Sequence, residues 1–250
     1  MTAATAFPGA TGLTVLDVYD WPCPDGLRGG SAHVHLASTE GYLVTAGQGR
    51  LQTLGGHGYA EVPLRPGDCR WFTPGTVHRL VNDDGRLQIT VVMQNAGLPE
   101  AGDAVLTFPP AVLADPGRYA AAAALPGGAD GQALAAAARA RRDLAIEGYL
   151  ALREQVIAHG PGALSGFHAA AARLVAARVP DWRERWQRQA HAVADLTGQH
   201  LDQIEAAPAQ PGHLAAAALL RLDAPPGPRG YGMCGRLTAY PPGQARPVTG

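Results

Sequence analysis

Ser31-Ala32-His33-Val34-His35-Leu36-Ala37-Ser38-Thr39-Glu40-Gly41-Tyr42-Leu43-Val44-Thr45-Ala46-Gly47-Gln48-Gly49 is the stretch on which the fold turns. His33 and His35 are one residue apart, and because strand side chains alternate faces with a period of two, both imidazoles project from one face. After the turn-forming Ala37-Ser38-Thr39, Glu40 opens a second run, Gly41-Tyr42-Leu43-Val44-Thr45, that reads as a strand pairing back on the first. A carboxylate thereby meets two imidazoles. Farther along, Thr73-Pro74-Gly75-Thr76 forms a turn that delivers His78 to the start of another strand. The expected convergence of three histidines and one glutamate suits Fe, Mn, Ni, Co, Cu or Zn and disfavours Ca and Mg, which prefer oxygen donors. The ligand set does not choose among the six.

The two segments resemble the paired motifs of the cupin superfamily. In the first motif, His-x-His is followed by three or four residues, Glu, six residues and Gly, a pattern met by His33, His35, Glu40 and Gly47. The second motif is met by Gly67, Gly75, His78 and Asn82, with Thr73 standing where the family usually has proline and Pro74 next to it. A glycine usually six residues before His-x-His is displaced, since position 27 is Leu. The resemblance covers roughly residues 10 to 110 and implies a jelly-roll β-barrel with one divalent transition metal held by His33, His35, Glu40 and His78.

Composition narrows the function. The 250 residues permit one large or two small domains, and a net charge of -1 with 46% hydrophobic residues is ordinary for a globular chain. All 20 basic residues are Arg, which removes Schiff-base and catalytic-lysine chemistry. The absence of a basic stripe argues against a nucleic-acid partner. Cys23, Cys69 and Cys234 have no paired spacing, so no disulfide framework is expected, and Cys69 is read as a small buried residue. The N-terminus has no secretory pattern and no run is long and apolar enough for a membrane span, so a soluble cytoplasmic protein is expected. The Ala, Arg, Gly and Pro excess points to a GC-rich, bacterial genome.

Along the chain, short strands separated by turn residues run from Thr14 to Phe108, with His57 in an exposed glycine-rich tip. The composition changes near Pro109-Pro110. We therefore expect a β-rich plus α fold, with residues 1-110 forming a cupin-like barrel that holds the metal and 111-250 a helical extension packed on it, irregular from about 223. One helix is expected from an Asp130 N-cap to His159, a second over 163-178, a third from Asp181 with Trp182, Trp186, Ala190, Val193, Leu196 and Ile204 on a buried face, and a last short one over 213-222. His168, His191 and His200 receive no metal role. Tyr231 to Tyr240 is left with two placements, a sheet-edge strand or a cover over the barrel mouth.

Three imidazoles and a carboxylate leave two adjacent positions of an octahedron open for water, dioxygen or a chelating substrate. The expected function is a metal-dependent enzyme acting on a small organic molecule, foremost an oxygenase (a dioxygenase-like oxidoreductase), with Glu40 a fixed ligand or a detachable catalytic base. A sugar isomerase or epimerase, and a metabolite-binding or sensory module without catalysis, are the alternatives. Strand parity nominates Tyr42, Gln52, Trp71 and Gln88 for the substrate shell. The expected partner is a small-molecule substrate, with no membrane, no nucleic acid and a homodimer as the possible assembly.

Overall fold

A computed structural model describes residues 6-127 and 131-248. The Asp130 cap lies outside the described residues. In chain order the strands are β1 (Gly12–Val18), β2 (His33–His35), β3 (Glu40–Ala46), β4 (Gly49–Gly55), β5 (Gly58–Leu64), β6 (Cys69–Phe72), β7 (Val77–Asn82), β8 (Gln88–Met93) and β9 (Ala104–Leu106). Short tail strands follow at β10 (Leu220–Arg221), β11 (Gly230–Tyr231), β12 (Gly235–Tyr240) and β13 (Arg246–Pro247). They form an antiparallel sheet of order β11-β12-β1-β8-β3-β6 facing another of order β5-β4-β7-β2-β9, with β10 and β13 paired separately. Leu16, Val18, Tyr42, Val44, Ile89 and Val91 of the first sheet meet Leu51, Leu64 and Leu80 of the second, so the alternation seen in the sequence becomes a core between the sheets. Each such side chain contributes about 1.5-3 kcal/mol by leaving water.

The second sheet is buried on its other face as well. Val34, Leu54, Val77 and Val105 pack there against Ala145, Ile146 and Tyr149 of α3 (Gly131–His159) and Phe167 and Ala171 of α4 (Leu164–Val175). The helix comes very close: a Cβ at Gly148 would lie 2.0 Å from the Thr107 carbonyl oxygen, and the Thr107 hydroxyl donates to the Ala145 carbonyl at 2.7 Å. Arg142, fully buried, fastens α3 to the 21-29 loop by donating to the carbonyls of Trp21 (2.9 Å), Gly29 (2.9 Å) and Pro22 (2.8 Å) and to Asp143 (2.7 Å). Two short helices, α1 (Pro110–Leu113) and α2 (Pro116–Ala123), precede it, the second capped by the Asp115 carboxylate.

Several helical expectations are corrected. The second helix gives way after Val175 to a tight turn, and α5 (Val179–Trp186) begins before Pro180, which is accommodated in its first turn where no helical N–H is needed. The third helix is interrupted by a wide turn over Gln187–His191 before α6 (Ala192–Ala206). That extra residue re-phases the apolar stripe. Trp182 is buried, but Trp186 and Ile204 are exposed, and α6 buries none of its residues. The expected last helix is a short 3-10 turn, Gly212–Ala216, followed by β10. The tail combines the two placements left for it: β12 pairs with β1, Leu237 opposite Leu16 and Ala239 opposite Thr14, and the same segment closes one side of the space between the sheets through Met233, Cys234 and Leu237. The first sheet therefore draws a strand from far beyond residue 110. Cys69 is exposed because it shares the outward-facing parity of Trp71 on β6 and pairs with the exposed Leu43. Among the described residues no helix is long and apolar enough to cross a membrane.

Candidate metal centre

β2 turns His33 and His35 into the space between the sheets and Val34 out toward α3, and the register that places His33 opposite His78 brings the third imidazole alongside. Glu40 enters from the facing sheet, where it pairs with Met93 on one side and Phe72 on the other. The family-pattern residues that carry no donor have structural duties. Gly75 adopts φ 88° in the turn before His78 and donates its N–H to the His35 carbonyl at 2.9 Å, tying the two ligand segments together. Gly47, at φ 73°, lies where a Cβ would sit 2.3 Å from the Arg86 backbone. Asn82 bridges neighbouring segments, donating to the Val18 carbonyl (2.9 Å) and accepting from the Leu87 N–H (3.1 Å). His168 of α4 bonds the Gly75 carbonyl at 2.8 Å, which gives that histidine a place on the turn and none among the ligands.

Hydrogen bonding sets the tautomers. His33 Nδ1 lies 3.2 Å from the Ser31 carbonyl and His78 Nδ1 3.1 Å from that of Thr76. A carbonyl only accepts, so both Nδ1 atoms carry the proton and both Nε2 atoms present lone pairs. Those two Nε2 atoms stand 3.0 Å apart, and Glu40 Oε2 lies 3.0 Å from His78 Nε2 and 3.4 Å from His35 Nε2. All four donor atoms fall within 4.8 Å of one another and all four residues are buried. Ligands about 2.1 Å from one ion and at right angles to each other are about 3.0 Å apart. The donor set and its spacing fit one transition metal ion.

The surroundings shift three of the four donors. Burial, followed by the neighbouring His78 and His35, holds His33 well below its ordinary pKa, so it is a neutral donor. Burial works against charge on Glu40, yet His35 and His78 outweigh it and hold the carboxyl well below the usual range. Burial likewise opposes charge on His35, while Asp103 and Glu40 on its two sides raise it to about 9. Asp103 is the residue that sequence reasoning missed. Fully buried, it accepts from the N–H groups of Leu36 (2.9 Å), Ala37 (2.7 Å) and Ser38 (3.1 Å), and its Oδ2 is 3.5 Å from His35 Nδ1. It fixes the turn after His35 and lies behind the ring, where a carboxylate can support a histidine that holds a metal. Phe72, also missed, packs on His78 with ring centroids 4.1 Å apart. Its signal was parity, because Phe72 pairs with Glu40 and Trp71 with Gly41.

Three of the donors, His33, His35 and Glu40, line a cavity of about 260 Å³ together with Tyr42, Val91 and Met93 and with Met233, Cys234 and Leu237 from the tail, and His78 lies behind them. Of the nominated substrate shell, Tyr42 alone lies here among the described residues, buried, its hydroxyl in the field of the Glu40 carboxylate but closing no hydrogen bond. Gln52 is corrected to the opposite face: it pairs across from Arg79, donates to Glu61 at 2.6 Å and accepts from the Tyr149 hydroxyl at 3.2 Å beneath α3. Trp71, 71% exposed, and Gln88 lie on the outer face of the first sheet, since each is out of phase with its inward-facing neighbours Phe72 and Ile89.

Residues 24–93 match a family model described as "Cupin domain". No curated protein matches the chain. Among solved structures, the chain is similar to an uncharacterized conserved protein with a double-stranded beta-helix domain from Klebsiella pneumoniae, at 20% identity over 33% of this chain and 64% of that one with a TM-score of 0.27. It is also similar to a putative sugar phosphate isomerase from Acidithiobacillus ferrooxidans, at 23% identity over 34% of this chain and 49% of that one with a TM-score of 0.28. A TDP-quinovose 3,4-ketoisomerase from Campylobacter jejuni matches at 15% identity over 32% of this chain and 60% of that one, TM-score 0.27. The chain thus spans between about half and under two thirds of the length of these proteins. His33, His35, Glu40 and His78 all lie inside the matched segment, so the part of the chain that carries them, residues 24–93, is a cupin domain.

Proposed function

We propose that His33, His35, Glu40 and His78 hold one divalent transition metal and that the protein is a metal-dependent enzyme acting on a small organic molecule, in the first place an oxygenase. The observation that carries this is the pair of Nδ1-protonated imidazoles whose Nε2 lone pairs face each other at 3.0 Å beside an unbonded carboxylate oxygen. Buried lone pairs so close repel unless a cation lies between them. A bound transition metal supplies Lewis acidity and, where it is redox-active, activation of dioxygen. The chain's residues do the rest: Asp103 holds the His35 ring, the apolar wall of Val91, Met93 and Leu237 excludes water, and the Tyr42 hydroxyl offers a hydrogen bond to a substrate oxygen.

A second reading, isomerisation or epimerisation, is favoured by one further feature. Glu40 Oε2 and the Tyr42 hydroxyl, neither hydrogen-bonded, line the same cavity, so that one can accept a proton and the other support the oxygen of an adjoining carbonyl. Oxygen consumption by metal-loaded protein across a panel of small alcohols, acids and diketones separates the two. Turnover-dependent oxygen uptake is expected; solvent-deuterium incorporation without oxygen uptake would favour the isomerase, and neither in any metal form would leave a binding module. We also read the helices and tail as part of the working unit, with α4 clamping the His78 turn and β12 forming cavity wall.

A further inference from the structure

Among the described residues, the cavity lined by His33, His35 and Glu40 has no arginine in its wall, and the chain has no lysine. The arginines nearest the donors in sequence are engaged elsewhere. Arg79 is turned to the far face of β7 and gripped by Asp25 at 2.6 and 3.1 Å, Arg50 is held by Asp83 and Glu61, and the exposed Arg70 pairs with Asp68. The charged side chain that does reach the cavity is Glu100, an exposed residue at its rim whose Oε2 accepts from the Gly97 N–H at 2.6 Å. Deeper in, beyond the donors themselves, the wall is aliphatic and sulfur-bearing with Thr14 and with Tyr42, whose buried hydroxyl closes no hydrogen bond among the described residues.

A carboxylate or phosphate placed in such a wall loses its hydration and gains no counter-charge, which costs several kcal/mol even after relaxation. A neutral acceptor loses far less and regains a hydrogen bond from Tyr42. Resting on the metal site proposed above, we infer that the substrate is a small uncharged molecule: beyond the atom that meets the metal it carries no phosphate or carboxylate, and it presents one oxygen or nitrogen acceptor to Tyr42. The mouth that admits it is bounded by Glu100 and by Ala239 of the tail strand, so the C-terminal segment takes part in setting specificity.

Full-length protein loaded with Co(II) and titrated with nicotinamide and nicotinate tests this. The two are isosteric, offer the same ring nitrogen to the metal and differ by one negative charge. Nicotinamide is expected to perturb the cobalt absorption bands with an affinity about tenfold or more above that of nicotinate. Ala239→Arg is expected to shrink that ratio about tenfold by placing a cation at the mouth, whereas Ala239→Gln leaves it unchanged. Equal or tighter binding of nicotinate by the wild type, no response to either probe, or an indifferent ratio in Ala239→Arg would overturn the substrate class while cobalt uptake leaves the metal site standing. A chain that takes up no cobalt would overturn both.

Discussion

Between the five-stranded sheet and α3, buried charge is met by partners at most of its atoms, Arg79 Nε excepted; between the two sheets, more of it is left open. Arg142 donates through all three of its nitrogens to backbone carbonyls and Asp143, and Arg79 is held in a two-pronged pair by Asp25, with Gln52 and Tyr149 beside it. In the inner layer, Glu40 Oε2 and the Tyr42 hydroxyl lack hydrogen-bond partners among the described residues, His35 Nδ1 faces the Asp103 carboxylate at 3.5 Å, and two imidazole lone pairs confront each other. Leaving such groups unmatched costs about 1-3 kcal/mol each. The outer layer uses its polar groups to join helix to sheet, whereas the inner layer leaves its polar groups available to the proposed ion and substrate. Burial alone does not tell a functional polar residue from a structural one; the state of its hydrogen bonds does.

The largest effect that sharpens this contrast is expected at Arg142. Arg142→Ala strands the carbonyls of Trp21, Pro22 and Gly29 in a dry layer and opens a cavity, so a loss of roughly 3-5 kcal/mol in urea unfolding is expected. A loss below about 1 kcal/mol would mean that the helix is not fastened there.

Next in size is the Asp25 pair. Burial opposes the charged form of Asp25, but the Arg79 guanidinium outweighs it and lowers its pKa, so the pair contributes stability above the unfolded value of about 4 that is lost as pH falls through the lower folded value. Asp25→Asn is expected to cost about 1.5-3 kcal/mol at neutral pH and to flatten this part of the acid limb of the stability curve. An acid limb identical in the variant would show that the pair carries no pH dependence.

Tyr42→Phe is the smallest in stability and separates the layers most cleanly. Because the hydroxyl has no partner, its removal should change stability by less than about 0.5 kcal/mol, or raise it, while turnover of the cognate substrate falls about tenfold or more. A clear stability loss with unchanged turnover would move Tyr42 into the structural class.

Much of this was legible in the sequence. The His-x-His spacing, Glu40 and the turn before His78 carry the site because strand parity and tight turns are local properties, written over a few residues. Asp103 was not legible, since its partners, the N–H groups of residues 36 to 38, are brought to it by the fold. The same holds for β12, whose pairing with β1 joins segments more than 200 residues apart. Gln52 failed for a related reason: with both faces of its sheet buried, hydrophobic alternation no longer distinguishes the face toward the metal from the face toward α3.

The central claim is that one ion is held by four named side chains, and metal content tests it most directly. Purified wild-type chain, loaded and freed of loose ions, should carry close to one transition metal per chain by inductively coupled plasma mass spectrometry. His35→Ala and His78→Ala should carry almost none while their far-ultraviolet circular dichroism stays that of the wild type. Wild-type metal content in both variants would contradict the account and place the ion elsewhere.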